Sequence, residues 1–337
     1  MSKPPVLTFT DRGIYCPAGD FYIDPWKPVE RALITHGHAD HARKGHGSYL
    51  ATASAMPVIR HRLGDISAQT IEYGTTLKIA DTEISFHPAG HVPGSAQIKI
   101  SVHGETWVVS GDYKIENDGV SEAFEPQRCH HFVTESTFGL PIFRWKPQSE
   151  IAKSLNTWWE TCAKNGKTAF LGAYSLGKAQ RLLRMLSSDI GPILTHGAIE
   201  ATNEIFRQQG FPLPHTTQLT KDIDPKKYKN ALVLAPPSAL AGSWAKRFSP
   251  RETAFASGWM QLRGVRRRRG GDRGFIISDH ADWNGLLDVI KETGAPNVYV
   301  THGYTDTFAR YLTEQGWNAH VVPTEFGDTA TEKKTEA

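Results

Sequence analysis

The stretch ALITHGHADHARKG, residues 32–45, decides the fold because it places several metal-capable side chains directly after a short apolar run. His36, His38, Asp40 and His41 all fall within six consecutive positions. Imidazole and carboxylate groups at a strand end either face solvent or share a cation, because burying them unpaired is costly. Two interpretations follow, a solvated histidine-rich loop and a metal site.

Two later stretches supply further candidate ligands at the ends of predicted strands, where catalytic groups commonly lie. His91 lies in AGHVPGSA and Asp112 lies in VVSGDY. His36 and His38 are separated by one residue, so both can point at one cation. Asp40 and His41 are expected on the opening turn of a helix. His91 or Asp112 alone would be an ordinary loop or turn residue. The ordered set H-x-H-x-D-H, G-H and S-G-D favours the metal site.

Length and composition indicate a globular enzyme of more than one domain. The chain has 337 residues, of which 39% are hydrophobic, and such a length favours two domains or one interrupted by another. No apolar run approaches the roughly 18 residues of a membrane span. The start MSKPPVLTFTD has no secretory pattern, so a cytoplasmic location without a membrane partner is expected. The three cysteines are too far apart for a cysteine-based zinc motif, so histidine and carboxylate side chains must bind any metal.

The pattern of predicted secondary structure changes twice along the chain, which predicts a domain interrupted by another. Residues 1–145 contain short strand patterns that suggest antiparallel meanders. Residues 146–258 alternate helix and strand patterns, which is typical of a parallel sheet covered by helices. Residues 259–330 return to the first pattern, and 331–337 form a polar tail.

Two positively charged stretches are candidates for contact with phosphate. The segment WMQLRGVRRRRGGDRG, residues 259–274, holds six arginines against one aspartate. Its run Arg266, Arg267, Arg268 and Arg269 is either a solvated loop or a flexible contact to a nucleic-acid backbone. In GAYSLGKAQRLL, Ser175 and Lys178 at the start of a helix could hold a phosphate, or the turn is a plain strand-to-helix connection.

The motifs THGHADH, AGHVPGSA and SGDY resemble those of the metallo-β-lactamase superfamily. TESTFG at 134–139, SDHAD at 278–282 and VTHG at 300–303 further resemble the motifs of its β-CASP nucleases, over nearly the whole chain. The resemblance implies an α/β fold, a metallo-β-lactamase αββα sandwich with an inserted β-CASP α/β domain. Among these nucleases the chain looks most like the compact bacterial exonucleases associated with a DNA ligase and a helicase, which are relatives of the Artemis-type repair nucleases.

Carried over residue by residue, the resemblance implies two zinc ions, with Mn²⁺ as an alternative metal. One ion would be held by His36, His38 and His91, the other by Asp40, His41 and His302, and Asp112 would bridge them. Asp24 would orient ligands from behind, unless it is a turn-forming residue before Pro25. Asp40 and His280 would be catalytic, and Glu135 would hold His280 in its working tautomer. The alternative is that Glu135 and His280 are an ordinary buried pair.

The resemblance implies cleavage of phosphodiester bonds, with DNA favoured over RNA. His302 is the one residue that points to RNA, because RNA-cutting members tend to have His in the third motif and eukaryotic DNA-repair members Val. A small-molecule metallo-hydrolase and a nucleic-acid-binding subunit without metals remain as alternatives. The inserted domain and the arginine run argue against the first, and the filled ligand positions argue against the second.

Overall fold

The computed structural model of the protein describes residues 5–269 and 271–324, which divide into two compact units. Among these residues, the first unit comprises 5–117, 121–141 and 280–324, and the second comprises 118–120, 142–269 and 271–279. The polar tail predicted at 331–337 lies outside the described residues.

The first unit contains two sheets, one of six strands and one of seven. One has the strand order β1 to β6, formed by Thr8–Thr10, Gly13–Cys16, Phe21–Ile23, Arg31–Leu33, Ser48–Thr52 and Ala68–Ile71. The other has the order β19-β18-β11-β10-β9-β8-β7, in which β7 to β11 are Thr76–Ile79, Thr82–Pro88, Ala96–Val102, Glu105–Val109 and His131–Ser136, β18 is Asn297–Gly303 and β19 is Asn318–Val321.

Packing of apolar faces makes this unit an αββα sandwich, as predicted. Alternating side chains such as Ile84, Phe86 and Ile98 of one sheet pack against Phe21 and Leu33 of the other. The outer faces are covered by helices α1 (Met56–Leu63), α6 (Trp283–Thr293) and α7 (Thr305–Glu314). The antiparallel meander expected from the sequence is confirmed for β7 to β10, whereas β3 to β6 pair in parallel, as do β10, β11, β18 and β19.

The second unit is a six-stranded parallel sheet with the order β14-β13-β15-β12-β16-β17. These strands are Thr168–Gly172 (β12), Ile193–Thr195 (β13), Thr217–Gln218 (β14), Leu232–Ala235 (β15), Arg251–Ala256 (β16) and Arg273–Phe275 (β17). Helices α2 (Gln148–Lys164), α3 (Lys178–Met185), α4 (Gly197–Gln208) and α5 (Arg263–Arg269) belong to the same unit. The predicted inserted α/β domain is therefore present.

The return to the first unit differs from the boundary predicted at residue 259. Strand β17 pairs with β16 in the sheet of the inserted unit, so the backbone hydrogen bonds of Arg273–Phe275 belong to that unit. The chain re-enters the first unit at His280. The sequence of Arg273–Phe275 predicts a strand but carries no signal for the sheet that this strand joins.

No helix of the described ranges is long and apolar enough to cross a membrane.

Candidate metal centre

Within each sheet of the first unit, the predicted site residues follow the carboxyl ends of strands that run in one direction. Asp24 follows β3 and His36 follows β4, and these strands are parallel neighbours. In the other sheet, His91 follows β8, Asp112 follows β10 and His302 lies at the end of β18. Strands β8, β10 and β18 share one direction, because β8 and β10 are each antiparallel to β9 while β11 is parallel to both β10 and β18. Parallel strand ends meet at one edge, which brings distant parts of the sequence together.

Four of the predicted ligands form a tight cluster in which His36, His91 and Asp112 are buried and His38 is half-buried. The ring nitrogens of His36, His38 and His91 and a carboxylate oxygen of Asp112 all lie within 4.8 Å of one another. His38 Nδ1 is 3.1 Å from His36 Nε2 and 3.0 Å from His91 Nε2. One shared proton can satisfy only one of these nitrogen pairs, whereas a cation accepts all three lone pairs. The residues therefore fit a metal ion.

His41 gives a second indication that a cation belongs here. Its Nε2 is buried and makes no hydrogen bond to any described residue. The nitrogen lies 3.5 Å from Asp112 Oδ2 and 3.9 Å from Asp40 Oδ2. The His302 ring stacks on the His41 ring with centroids 5.2 Å apart, and these two rings and Asp40 line one cavity of about 30 Å³. Buried nitrogens without partners are rare, so this arrangement suits a second ion beside Asp112.

The backbone approaches this centre closely at Gly111, directly before Asp112. Gly111 has a φ of 57°, and a Cβ atom there would lie 2.7 Å from the Thr35 side chain. Only glycine fits such a left-handed position without moving Thr35. The S-G-D motif therefore has a structural reason for its glycine as well as a chemical reason for its aspartate.

Asp24 holds two of the histidines through hydrogen bonds. Its Oδ2 accepts from Thr35 Oγ1 at 2.6 Å and lies 2.7 Å from His41 Nδ1. Because the Thr35 hydroxyl donates its hydrogen bond to Asp24, its oxygen can still accept one from His36 Nδ1, which is 3.1 Å away. A proton on Nδ1 of both histidines leaves each Nε2 as a lone pair for a metal. Asp24 has a φ of 42°, an uncommon conformation that tight functional sites can sustain.

The electrostatics of the cluster are those of a cation site. Burial lowers the pKa of His41, but the carboxylates of Asp112, Asp24 and Asp40 outweigh it and hold that pKa well above its usual value. Burial and the neighbouring imidazoles hold the pKa of His36 well below its usual value. A metal that binds His41 must displace a proton, so the affinity for metal should fall as pH falls.

The predicted pair of Glu135 and His280 is also formed in the first unit. His280 Nδ1 lies 2.8 Å from Glu135 Oε2, and Glu135 Oε1 accepts from the Tyr113 amide at 2.8 Å. The His280 ring lies over His91 with centroids 4.6 Å apart, which places it beside the candidate ligands. A ligand atom each from Asp112, Glu135 and His280 lies within 4.8 Å of the others.

Two features of the sequence interpretation differ from the structure near this centre. Asp40 and His41 lie in a turn rather than on the first turn of a helix. The turn closes through a hydrogen bond from the Ala42 amide to the His38 carbonyl, and the chain then runs on without helix to β5. Thr35 and Tyr113 were not predicted to act in the site. Thr35 was detectable from its place between the strand and His36, whereas the Tyr113 amide carries no sequence signal.

The candidate phosphate contacts of the inserted unit differ in how exposed they are to solvent. Lys178 is buried, and its ammonium group is 3.0 Å from Asp279 Oδ1. This burial differs from the solvated lysine expected of a plain strand-to-helix turn, and the phosphate contact stays a prediction. The Ser175 carbonyl accepts from the side chain of Gln180. The arginine run forms helix α5 rather than a loop, and Arg266, Arg267 and Arg268 are exposed on it, while only the backbone of Arg269 is described.

Comparisons with known proteins show which families the sequence resembles. A family profile described as RMMBL, the RNA specificity domain of Zn-dependent metallo-hydrolases, matches residues 275–323. A probable DNA ligase of Opitutus terrae is 30% identical over 92% of this chain, which spans 30% of that relative. The endoribonuclease YSH1 of Gibberella zeae is 28% identical over 49% of this chain and 20% of its own length. The ribonuclease TTHA0252 of Thermus thermophilus is 26% identical over 49% of this chain and 44% of its own length.

A solved structure, a protein of unknown function from Enterococcus faecalis, shares the fold. Its TM-score is 0.59 at 10% identity, and the match covers 87% of this chain and 79% of that protein. The fold is a two-sheet sandwich that carries an inserted α/β domain, and its histidine and aspartate cluster fits a metal ion. The chain belongs to the metallo-β-lactamase and β-CASP nuclease superfamily. The assignment of individual ligands to two ions stays a prediction.

Proposed function

We propose that this protein is a zinc-dependent DNA exonuclease that acts in DNA repair, in the cytoplasm, beside a DNA ligase and a helicase. The observation that carries the choice of DNA is the similarity of 92% of the chain to part of a protein named as a probable DNA ligase. A ligase polypeptide that includes such a segment would use it to prepare DNA ends.

The chain supplies the ligands for two zinc ions in two groups. His36, His38 and His91 would hold one ion, and Asp40, His41 and His302 the other, with Asp112 between them. Bound zinc lowers the pKa of water and neutralises charge on a phosphodiester. Thr35 and Asp24 offer oxygen acceptors to Nδ1 of His36 and His41, which would leave each Nε2 free to hold a zinc ion.

Glu135 and His280 supply the proton-transfer part of the proposal. The Glu135 carboxylate is fixed by the Tyr113 amide and accepts from His280 Nδ1. It therefore stabilises a protonated His280 ring and leaves Nε2 for the substrate. His280 would contact the scissile phosphate or protonate the leaving oxygen, as a general acid positioned beside the metal ligands.

Cleavage of a matched set of labelled substrates tests the proposal. Single-stranded DNA, duplex DNA and RNA of one sequence, each labelled at one end, are incubated with the zinc-loaded protein. We expect stepwise shortening of DNA at a rate well above that of RNA. Asp112→Asn and Glu135→Gln proteins, purified in the same way, control for a contaminating nuclease, and neither should shorten DNA.

A ribonuclease is the second candidate, because a profile for RNA specificity matches residues 275–323 and His302 occupies the third motif. Cleavage of RNA with DNA left intact would select this candidate. Hydrolysis of neither polymer, together with turnover of a thioester or lactone, would select a small-molecule hydrolase.

A further inference from the structure

The segment IFRWK, residues 142–146, presents an unusual surface in the inserted unit. Ile142 is 51% exposed, and it is the most exposed of the three large hydrophobic side chains that stand out on the described surface. Arg144 and Lys146 are exposed, and Trp145 between them is half-buried. An exposed aliphatic group and a half-buried aromatic group interleaved with cations are an uncommon combination for a surface that only meets water.

Helix α5 begins close to this segment. Phe143 is buried and packs edge-to-face against Trp259, with ring centroids 5.6 Å apart. The Gln261 side chain donates to the Ile142 carbonyl at 3.2 Å. Trp259 and Gln261 belong to the short 3₁₀ turn Gly258–Gln261, and α5 starts at Arg263 directly beyond it. The two segments therefore form one surface, termed the basic-aromatic patch, made of Ile142, Arg144, Trp145, Lys146, Arg263, Arg266, Arg267 and Arg268.

The charge of the basic-aromatic patch favours a polyanion. Its six cationic side chains are exposed. Lys146 pairs with Glu150 at 3.6 Å, and both side chains are more than half exposed, so solvent screens this pair strongly. The nearby Asp272 carboxylate accepts from the Thr253 amide. A row of closely spaced phosphates matches this excess of positive charge.

The apolar members decide which polyanion fits. Paired bases in a duplex hide their faces, and a duplex would meet only the cations of the patch. Bases of an unpaired strand expose their faces and stack on aromatic and apolar side chains, while the same strand offers its phosphates to arginine. We propose that the basic-aromatic patch binds an unpaired nucleic-acid strand, with bases against Trp145 and Ile142 and phosphates against the α5 arginines. This rests on the proposed nuclease function and specifies the form of its substrate.

Equilibrium binding separates this inference from the chemistry. The zinc-loaded full chain is titrated into fluorescent phosphorothioate oligonucleotides, single-stranded and blunt duplex, of DNA and of RNA, and gels verify that they stay intact. For Trp145→Ala we expect about tenfold weaker binding of single strands and less than about twofold change for duplex, because one stacked base is lost. Ile142→Ser should shift binding in the same direction by a smaller factor, without touching the core.

Val321→Ser is the matched control, since Val321 is a 41% exposed hydrophobic residue of the first unit and should leave every affinity unchanged. Single-strand affinities that are unchanged in both Trp145→Ala and Ile142→Ser would overturn the inference. Equal losses for single strands and duplex would also overturn it. Failure of the proposed function is a separate result, since it would appear as intact DNA in the cleavage assay whatever the binding pattern.

Discussion

The two units neutralise their buried carboxylates in opposite ways. In the first unit, Asp112 Oδ2 is 3.5 Å from Nε2 of both His36 and His41 and 3.7 Å from His91 Nε2. In the inserted unit, Asp279 meets the ammonium of Lys178 at 3.0 Å, and Asp118 meets the guanidinium of Arg181 at 3.0 Å. Lysine and arginine keep their charge under ordinary conditions, whereas the imidazoles around Asp112 can release their protons and offer nitrogen lone pairs to a cation. Buried acids surrounded by histidine therefore mark the metal centre, and buried acids paired with helix α3 mark structure.

The largest effect should come from Asp112→Asn, which removes the carboxylate charge that both proposed ions share. We expect metal content measured by mass spectrometry to fall well below that of the wild type. Turnover on end-labelled DNA should fall by at least about 1,000-fold, because several kcal/mol of charge stabilisation is lost. Cleavage at the wild-type rate would show that the ligand assignment is wrong.

Lys178→Met should remove the ion pair that neutralises Asp279 in the inserted unit. Removing one partner leaves Asp279 buried without its ammonium, which should lower the free energy of unfolding by about 3 kcal/mol. Metal content should stay that of the wild type. Lys146→Met, which removes an exposed pairing with Glu150, should cost about 0.5 kcal/mol or less in the same urea titration. Equal stability of the two variants would contradict the structural role of Lys178.

The sequence predicted the clustering of the histidines and aspartates better than the contacts inside the inserted unit, for a physical reason. Histidines and aspartates at strand ends have few uses other than metal binding when they occur as an ordered set, and strand direction alone then brings them together. Lys178 has the same sequence signature whether it faces a phosphate or pairs with Asp279, which is 101 positions away along the chain (279 − 178). The arginine run was predicted as a loop because its glycines suggest one, yet it lies in helix α5, which includes Gly264.

His302 tests the second half of the metal centre. Its φ of 49° is a left-handed conformation that disfavours a β-branched replacement, so His302→Asn is a better variant than His302→Val. If His302 binds an ion, the asparagine variant should retain less metal and turn over DNA about 100-fold more slowly, with substrate affinity little changed. Full turnover with wild-type metal content would remove His302 from the proposed site.

Thr35 tests whether hydrogen bonds behind the ligands matter. Thr35→Val keeps the shape of the side chain and removes the hydroxyl that contacts Asp24 and His36. We expect about tenfold weaker metal affinity by chelator competition, the lower end of what outer hydrogen bonds contribute. Thr35→Ser restores a hydroxyl and should recover most of that affinity. Equal affinities for the valine and serine variants would show that packing, not the hydrogen bond, explains any loss.

The arginines of α5 should give the smallest change per residue, and they separate a surface that meets phosphate from one that only meets water. Replacing Arg266 to Arg269 with serine should leave metal content unchanged and weaken binding of nucleic acid. Each lost phosphate contact releases one counterion fewer, so the slope of log K against log salt should become shallower by roughly 0.7 to 0.9 per contact. Arg310→Ser is the control, because Arg310 is 83% exposed on α7 and pairs with Glu314 within its own helix. A slope that changes only in the α5 variant supports a phosphate path along the inserted unit. The same slope for wild type and both variants would mean that α5 is a solvated helix, and substrate affinity would then have to come from the first unit.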